Sequence, residues 1–568
     1  MTTSSSATAS TPWEPLTVSP IPCPPIPDEP LTAALDRAVD EYGDRIAVDF
    51  LGRTTTYAAL GDHVSRAAGA LLALGVQPGD RVAIALPNST EHLVAFYAVL
   101  RIGGVVVENN PTYSAEALVD QLADSGATVA LLWTKAVPGV LAGRDRTALR
   151  HIVAVDLAQD LPRLSRIALR LPVAKARRTA KAMRGPVPDG VALWHRLLRG
   201  ASPAASDQPH PQASDLALLQ YTGGTTGTPK GAALTHANLV ANAEQGVAWT
   251  GHQPGRETVL GVLPFFHAFG LTLCLSYSIR IAATLVVLPS FDTDLVLAAQ
   301  RRRPGTFLPA VPPMLDRLLT AAQAKGVPLR SYTHAISGAM ALPAETAARW
   351  EQATGGLVVE GYGMTETSPV ALGNPFDASR RPGSLGLPFP GTDVRVVALA
   401  DPTKDVGRGE PGELLIRGPQ VFSGYWNRPD ETADQLGPDG WLRTGDVVRV
   451  EDDGFVTLVD RIKEMIVTGG LKVYPSQVED WLRGMPGVVD VAVVGVPAGD
   501  LGETVVAALV VEDGQQIELA DVRAWCATRL AKYAVPRRIV LLPELPRSQV
   551  GKVLRREVRE QVLALPPG

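Results

Sequence analysis

The sequence has few cysteines, no excess of positive charge and no long apolar run. Its three cysteines, Cys23, Cys274 and Cys526, are far apart and form no C-x-x-C pair, so neither a zinc site nor a disulfide framework is predicted. No stretch approaches the roughly 20 apolar residues that a membrane-spanning helix needs. The net charge of −5 argues against a nucleic acid as the main partner. Together these absences favour a cytoplasmic globular protein.

The 568 residues are enough for about four domain-sized units. Residues 1–29 are rich in Ser, Thr and Ala and then in Pro, with no basic or apolar run, and we expect a disordered leader. From residue 30, helical and extended patterns alternate, which predicts an α/β fold with a largely parallel sheet covered by helices. Shorter β-rich pieces follow Thr392, and a compact α+β pattern follows Lys463. We therefore place a large N-terminal domain at 30–460 and a small C-terminal domain at 461–568.

Residues 161–187 stand out because they contain eight basic residues and no acidic one. Leucine, isoleucine and valine side chains are interleaved with the basic ones, although Pro172 interrupts any single helix. Contact with a membrane surface is one interpretation. A solvated basic insertion is the other, and on the sequence alone it is favoured.

The stretch from Tyr221 to Gly231, YTGGTTGTPKG, combines glycines, threonine hydroxyls and one lysine. Glycines let the backbone turn sharply, and the N–H groups, hydroxyls and ammonium are donors suited to a phosphate chain. The spacing differs from a Walker A loop, and Lys230 is followed by Gly231 instead of Ser or Thr. A flexible Gly/Thr surface loop is the alternative that this stretch alone leaves open.

Three further segments carry groups that suit a nucleotide. Gly361–Thr367, GYGMTET, follows a predicted strand ending at Glu360 and offers an aromatic ring, a hydroxyl and the hard oxygen ligand Glu366. Asp446, within GWLRTGD, and Arg461, within VDRIK, are an acid and a base able to hold vicinal ribose hydroxyls. Pro546–Lys552, PRSQVGK, presents a lysine on a loop of small residues, for which a solvated surface lysine is the ordinary interpretation.

Taken in this order and spacing, these segments resemble the adenylate-forming superfamily of acyl-CoA synthetases, adenylation domains and luciferases, from about residue 30 to 560. The stretches LQYTGGTTG from Leu219, LTHANLVAN from Leu234, LPFFHAF from Leu263 and VDR from Val459 are most similar to bacterial long-chain fatty acid CoA ligases. The resemblance implies a fatty acid substrate, ATP, Mg²⁺ and CoA. It also implies that the C-terminal domain is mobile and rotates about Lys463 between two half-reactions.

The resemblance implies a role for each matching residue. The β- and γ-phosphates of ATP would be held by Thr222, Gly223, Gly224, Thr225, Thr226, Gly227, Thr228 and Lys230. Adenine would lie against Tyr362, beside Gly338, Ala339, Met340, Glu360, Gly361 and Gly363. The ribose would be held by Asp446 and Arg461, and magnesium by Glu366.

The remaining implied roles concern the reacting groups. Lys552 would neutralise charge on the carboxylate and the α-phosphate, with Thr365 nearby, and His267 would line the entrance to the acyl pocket. After rotation, Gly469, Gly470 and Lys472 would form the thiol side of the site, and Lys472 stands where relatives often have Asn or Gln.

Several activities share the same first step and stay open on the sequence alone. An aryl- or medium-chain-CoA ligase would differ in the acyl pocket, and a fatty acyl-AMP ligase would use a carrier protein instead of CoA. A β-lactone synthetase would adenylate a 3-hydroxy acid and close the ring internally. A non-catalytic acyl or nucleotide sensor is the alternative from another class, against which the set Lys230, Glu366, Asp446 and Lys552 argues. Acyl chain length and oligomeric state are not encoded in any spacing.

Overall fold

A computed structural model describes residues 15–205, 210–222, 229–468, 471–498, 502–512, 514–527, 530–548 and 551–565. The expected leader disorder is wrong for residues 15–29. Leu16 packs on the β-rich part, Ile21 and Ile26 pack on the largest apolar core, and Thr17 is buried. The prolines keep this segment extended while its few apolar side chains find partners. Residues 1–14 lie outside the described part.

The first of two large sheets has nine strands, mostly parallel. Helices connect the strands of this sheet and cover both of its faces. They do so because the strands carry continuous apolar runs that must be buried on both sides. Its strands, in spatial order, are Leu387–Pro388, Val370–Gly373, Leu357–Gly363, His334–Ser337, Phe307–Ala310, Thr258–Gly261, Thr284–Val287, Ile46–Phe50 and Arg53–Thr56.

The second large sheet has eight strands and carries the phosphate-loop segment. The strand Leu216–Thr222 pairs in parallel with Val105–Glu108 on one side and antiparallel with Lys230–Thr235 on the other. In spatial order the strands are Gly424–Tyr425, Lys230–Thr235, Leu216–Thr222, Val105–Glu108, Arg81–Ala85, Val129–Trp133, His151–Val155 and Ala192–Leu193. The predicted α/β fold is confirmed.

Helices pack on the large sheets and bury their apolar faces in the core. Several begin at a side-chain cap, as where Ser89 Oγ accepts from the His92 amide. Their ranges are Thr32–Tyr42, Tyr57–Ala73, Thr90–Arg101, Ala115–Ser125, Val137–Ala142, Trp194–Gly200, His236–Thr250, Ala268–Gly270, Tyr277–Arg280, Thr293–Arg302, Pro312–Lys325, Ala344–Thr354 and Pro429–Gln435, with a wide turn at Leu271–Ser276. In the part of the chain that the structure describes, no helix is long and apolar enough to cross a membrane.

An antiparallel sheet of five strands forms the β-rich part, as the Gly- and Pro-punctuated pattern after Thr392 predicted. Its strands are Asp401–Asp405, Asp393–Ala398, Gly412–Arg417, Leu442–Val450 and Val456–Arg461. The last strand ends at Arg461, and the following residues join other sheets. The register places Asp446 opposite Arg461.

The C-terminal part has its own apolar cores, built on a three-stranded sheet of Val488–Pro497, Glu503–Val511 and Arg538–Leu541. A short hairpin, Ile466–Thr468 with Leu471–Val473, precedes it. Three helices, Pro475–Arg483, Leu519–Ala527 and Arg555–Ala564, cover the sheet. A separate core of this size is what an independently packed α+β unit requires.

The basic stretch 161–187 forms two short helices, Arg163–Ala168 and Ala174–Met183, with Pro172 between them. The second helix is tied to the body because the Trp133 indole N–H donates to the Met183 carbonyl at 2.8 Å. The apolar side chains of the first helix point away from the core, and Leu164 and Ile167 are 81% and 60% exposed.

Candidate active site

One cavity of about 1170 Å³ lies between the large sheets and the C-terminal part. Several predicted site residues line this cavity together, although the first and the last of them are more than three hundred positions apart in the chain. These are Thr222, His267, Thr365, Arg461, Lys463 and Lys552. Parallel strands place ligands at their carboxyl ends, and Thr222 ends one such strand.

The predicted phosphate loop joins two paired strands, with Thr222 opposite Lys230. Residues 223–228 lie outside the described part, so the predicted roles of Gly223, Gly224, Thr225, Thr226, Gly227 and Thr228 have no structural description. The base of the loop is held by Tyr221, whose hydroxyl donates to Asp124 at 2.6 Å. Lys230 lies with its ammonium 5.1 Å from the centre of the Tyr425 ring. The loop is thus anchored at both ends.

Glu366 occupies the short turn Thr365–Thr367 and is 6% exposed. The Tyr425 hydroxyl donates to Glu366 Oε1 at 2.5 Å. Burial raises the pKa of Glu366, and the Tyr425 hydrogen bond and the Lys230 charge oppose that rise. A magnesium ion bound mainly by substrate phosphates needs only one or two protein carboxylates, and the single carboxylate of Glu366 beside Lys230 fits that pattern.

A three-residue network lies at the predicted ribose position. The Tyr362 hydroxyl donates to Asp446 Oδ2 at 2.6 Å, and Arg461 Nε lies 2.9 Å from Asp446 Oδ1. Asp446 is 4% exposed, so its charge is buried but has two partners. The structure therefore brings together the three residues that the sequence assigned to adenine and ribose.

The segment around Gly338 and Gly361–Gly363 forms a crowded wall next to this network. A Cβ at Gly363 would collide with the Pro369 carbonyl oxygen, and one at Gly338 would lie 3.0 Å from the Phe269 ring. Ala339 has a left-handed backbone, with φ of 67°, which marks a sharp turn at the end of the strand His334–Ser337. These small residues let the backbone approach closely, as a flat ligand beside Tyr362 would need.

Glu360, which the sequence analysis placed with the nucleotide ligands, uses its carboxylate to bind a neighbouring segment. Its Oε1 accepts from the Gly383 amide at 2.7 Å, and its Oε2 accepts from Asn374 Nδ2 at 3.2 Å. Burial raises its pKa. In this arrangement the carboxylate holds the 374–384 segment in place, and the side chain does not line the cavity.

His267 lines the cavity and caps a short helical turn. Its Nδ1 accepts from the Phe269 amide at 3.3 Å. Burial lowers its pKa, so the neutral form is favoured. In that form the ring proton sits on Nε2, and His267 presents a hydrogen-bond donor to its surroundings.

Lys552 reaches the same cavity from the C-terminal part. Its loop is closed by the Ser548 amide, which donates to the Lys552 carbonyl at 2.8 Å. A Cβ at Gly551 would lie 3.8 Å from Met340 Sδ, so the loop touches the large domain. Burial, followed by repulsion from Arg461, lowers the pKa of Lys552 to about 8.

Two other predicted residues of the C-terminal part lie apart from each other. Lys463 lines the cavity within the short turn Ile462–Glu464, beside Glu464, which is paired with Arg555. Lys472 is exposed on the hairpin at 466–473 and is not among the cavity-lining residues. Gly469 and Gly470 lie outside the described residues. The predicted thiol-side face is therefore not assembled with the other residues here.

Tyr425 is a site residue that the sequence analysis missed. The two-residue strand Gly424–Tyr425 pairs with Ala232 and Ala233, which brings the ring beside Lys230 and the hydroxyl to Glu366. The aromatic pair Tyr425–Trp426 after a glycine was the available signal, but only sheet pairing reveals its partner.

Family comparison agrees with this geometry. A sequence model of the AMP-binding enzyme family matches residues 35–426, and one of the AMP-binding enzyme C-terminal domain matches 477–552. The chain belongs to the AMP-binding enzyme family. Among its members, the long-chain-fatty-acid–CoA ligase of Bacillus subtilis (strain 168) is 35% identical over 547 residues, covering 94% of this chain and 95% of the relative. The feruloyl-CoA synthase of Amycolatopsis sp is 36% identical over 523 residues, covering 91% and 95%.

A solved structure of an AMP-binding enzyme with ATP bound, MatB from Rhodopseudomonas palustris, matches with a TM-score of 0.82 at 32% identity. The match covers 95% of this chain and 99% of that one. The structure of apo MatB matches with a TM-score of 0.70 at the same identity, covering 94% and 99%. The chain thus has the fold of this family over nearly its whole length.

Proposed function

We propose that this protein activates a fatty acid with ATP, releasing pyrophosphate, and transfers the acyl group from acyl-AMP to the thiol of CoA. The observation that carries the proposal is the cavity in which Lys552 of the C-terminal part lies with Thr222, His267 and Arg461. Relatives named as long-chain-fatty-acid–CoA ligases that cover almost the whole chain support the same choice.

The first half-reaction needs charge neutralisation at the α-phosphate. A carboxylate repels nucleophiles and has no good leaving group, and joining it to AMP removes both faults. The Lys552 ammonium would attract the carboxylate and the α-phosphate into line, because it lies in a buried site where such charges act strongly. His267 would donate from Nε2 to an oxygen of the reacting groups.

The nucleotide would be held by groups that are already in place. Asp446 would accept from the ribose hydroxyls, with Tyr362 and Arg461 fixing its orientation. Lys230 would contact the phosphate chain, and Glu366 would hold magnesium, which supplies further charge neutralisation when bound. The hydrogen bond from the Tyr425 hydroxyl would keep the Glu366 carboxylate in place for the magnesium ion.

The second half-reaction would require the C-terminal domain to rotate about Lys463. Lys552 and Lys472 lie on the same domain, yet only Lys552 lines the cavity. A single orientation of this domain would therefore not bring both lysines to the reacting groups. A closer match to ATP-bound than to apo MatB, 0.82 against 0.70, supports an arrangement of the adenylation type. Rotation would withdraw Lys552 and open the thiol path.

A panel of acids assayed with ATP, magnesium and CoA tests the proposal. We expect AMP release and thioester formation to be greatest with a long-chain acid such as palmitate, compared with octanoate, coumarate and a 3-hydroxy fatty acid. Coumarate belongs in the panel because a feruloyl-CoA synthase matches with similar identity. Formation of acyl-AMP without thioester would favour a fatty acyl-AMP ligase. Ring closure in the absence of CoA would favour a β-lactone synthetase, and absence of AMP with every acid would favour a non-catalytic sensor.

We infer in addition that the protein is cytoplasmic and contacts a membrane surface through the helix Arg163–Ala168. Leu164 and Ile167 are 81% and 60% exposed, and the flanking arginines suit an anionic lipid surface. Flotation with anionic liposomes should fall for the double variant Leu164→Ser, Ile167→Ser, while fatty acid adenylation in detergent is kept. Equal flotation of both proteins would contradict this contact.

A further inference from the structure

A buried histidine–glutamate pair lies at the cavity, with Glu108 in its lining and His92 behind it, and has no role in the sites described above. His92 and Glu108 are 0% and 1% exposed. His92 Nε2 lies 3.0 Å from Glu108 Oε1, and His92 Nδ1 lies 3.1 Å from the Leu86 carbonyl oxygen. Glu108 ends the strand Val105–Glu108, at the same sheet edge as Thr222.

The contacts of His92 fix the proton count of the pair. A carbonyl only accepts, so His92 Nδ1 must carry a proton and donate it to Leu86. The short contact between Nε2 and Glu108 Oε1 then needs one shared proton, whichever atom carries it. Burial raises the pKa of Glu108, and His92 opposes that rise. The pair is therefore neutral overall and is able to take up one more proton at its free oxygen.

The free oxygen, Glu108 Oε2, has no hydrogen-bond partner among the described residues. Gln220, the neighbour of Glu108 in the sheet, is 2% exposed. Its Nε2 donates to the Phe266 carbonyl at 2.6 Å, which leaves Gln220 Oε1 without a partner in the same described part. Both residues line the cavity. Two buried acceptors side by side suit a group that arrives with a proton to give.

The reactants narrow the identity of that group. Among the groups that react, the fatty acid carboxylate and the ATP phosphates present only acceptor oxygens, whereas a thiol carries a proton that must leave before or during attack. His267 does not take this proton, because its neutral ring already carries one on Nε2. Of the four other cavity-lining carboxylates, Glu464, Glu503 and Glu560 are paired with Arg555, Arg559 and Arg556, and Glu557 is exposed to solvent.

We propose that Glu108 accepts the proton of the CoA thiol in the thioester-forming half-reaction, an inference that rests on the function proposed above. The S–H bond breaks as the O–H bond forms at Glu108 Oε2, and the shared proton moves fully to His92 Nε2. The thiolate attacks the acyl-AMP carbonyl carbon, and the C–O bond to AMP breaks. Gln220 Oε1 orients the thiol, and His92 is a positioning residue that holds Glu108 Oε1 and leaves Oε2 to accept the proton.

The Glu108→Gln variant tests this assignment, because it keeps the shape of the side chain and removes its proton affinity. Thioester formation from supplied acyl-AMP and CoA should fall about 10²- to 10⁴-fold, the range typical of general-base catalysis. Pyrophosphate exchange should be unchanged. Cleavage of the bound acyl-AMP by hydroxylamine, an amine that attacks without first losing a proton, should also be unchanged.

Glu560→Gln is the matched control, since Glu560 is a cavity-lining carboxylate that is exposed and paired with Arg556. It should retain both half-reactions. Equal loss of thiolysis, hydroxylamine cleavage and pyrophosphate exchange in Glu108→Gln would overturn the inference and indicate a structural role, and so would unchanged thiolysis. Failure of the unsubstituted protein to form any thioester would instead contradict the proposed function.

Discussion

The two sides of the cavity are built differently. On the large-domain side, Asp446 and Glu366 are buried next to the lining residues Arg461 and Thr365, and each has a side-chain partner at hydrogen-bond distance. On the opposite side, Lys552 is half-buried beside Arg461, and its ammonium has no hydrogen-bond acceptor among the residues that the structure describes. Among the described residues, Asp446 and Glu366 already have partners, whereas the Lys552 ammonium would gain one from a ligand that brings negative charge.

This difference suits a reaction in two steps. In the proposed reaction, groups that are already held by partners would keep the nucleotide in place through both half-reactions with little reorganisation. A lysine without a fixed acceptor, on a part of the chain with its own apolar core, would be able to leave after the first step of the proposed reaction. The contrast predicts that substitutions on the two sides will separate binding from catalysis.

Lys552→Ala should show the largest effect. Removing the ammonium leaves the α-phosphate charge without its partner, so we expect fatty acid-dependent pyrophosphate exchange to fall by about 10²- to 10³-fold. Thioester formation from supplied acyl-AMP and CoA should change little. Measuring both half-reactions on one preparation makes the second a folding control for the first.

The contrast between the two sides would fail if Lys552→Ala slowed both half-reactions equally. It would also fail if the variant mainly raised the KM for ATP, because that pattern would make Lys552 a ground-state binding residue like those on the large-domain side.

Asp446→Ala should act on binding instead. Hydrogen bonds to a charged group contribute about 1.5–3 kcal/mol, so we expect the KM for ATP to rise about 10- to 100-fold, with a smaller change in kcat. Asp393→Ala is a matched control, because Asp393 lies in the same five-stranded sheet and pairs with Arg417 near the surface. An unchanged KM with a lower kcat in Asp446→Ala would contradict its ribose role.

The sequence predicts the site residues that lie in short motifs, and it does not predict those that are brought to the site by strand pairing. Glu366, Asp446 and Lys552 each lie in a short motif whose residue types indicate the chemistry, and the structure places them around one region. Tyr425 and Glu108 escaped because their partners depend on strand order. Neither the pairing of Gly424–Tyr425 with Ala232–Ala233 nor that of Glu108 with Gln220 is visible in local sequence.

Two further features could not be read from the local sequence, because they depend on contacts between distant parts of the chain. Glu360 lies two residues before Tyr362 in the same strand, but its carboxylate accepts from the Gly383 amide and from Asn374, which local sequence does not reveal. The proline-rich segment at 15–29 resembles a disordered leader in composition, yet Ile21 and Ile26 pack against the core. The composition of a segment does not reveal whether the folded domain offers an apolar surface on which the segment can pack.

The pH dependence of adenylation is the last and smallest test of the contrast. Lys552 has its pKa lowered to about 8, mainly by burial and next by Arg461, and the reaction needs the protonated form. The kcat/KM for ATP, which reports the free enzyme, should therefore be level below pH 8 and fall about tenfold per unit above it. Bound phosphate favours the ammonium, so the corresponding fall in kcat should lie at higher pH.

Lys552→Arg sharpens this test, because a guanidinium stays charged throughout the range. Its residual kcat/KM should lose the fall above pH 8, even though its plateau is lower. If the variant keeps the same alkaline limb as the unsubstituted protein, the titrating group is not Lys552. The charge that the C-terminal domain delivers would then not depend on the unpaired state that distinguishes the two sides of the cavity.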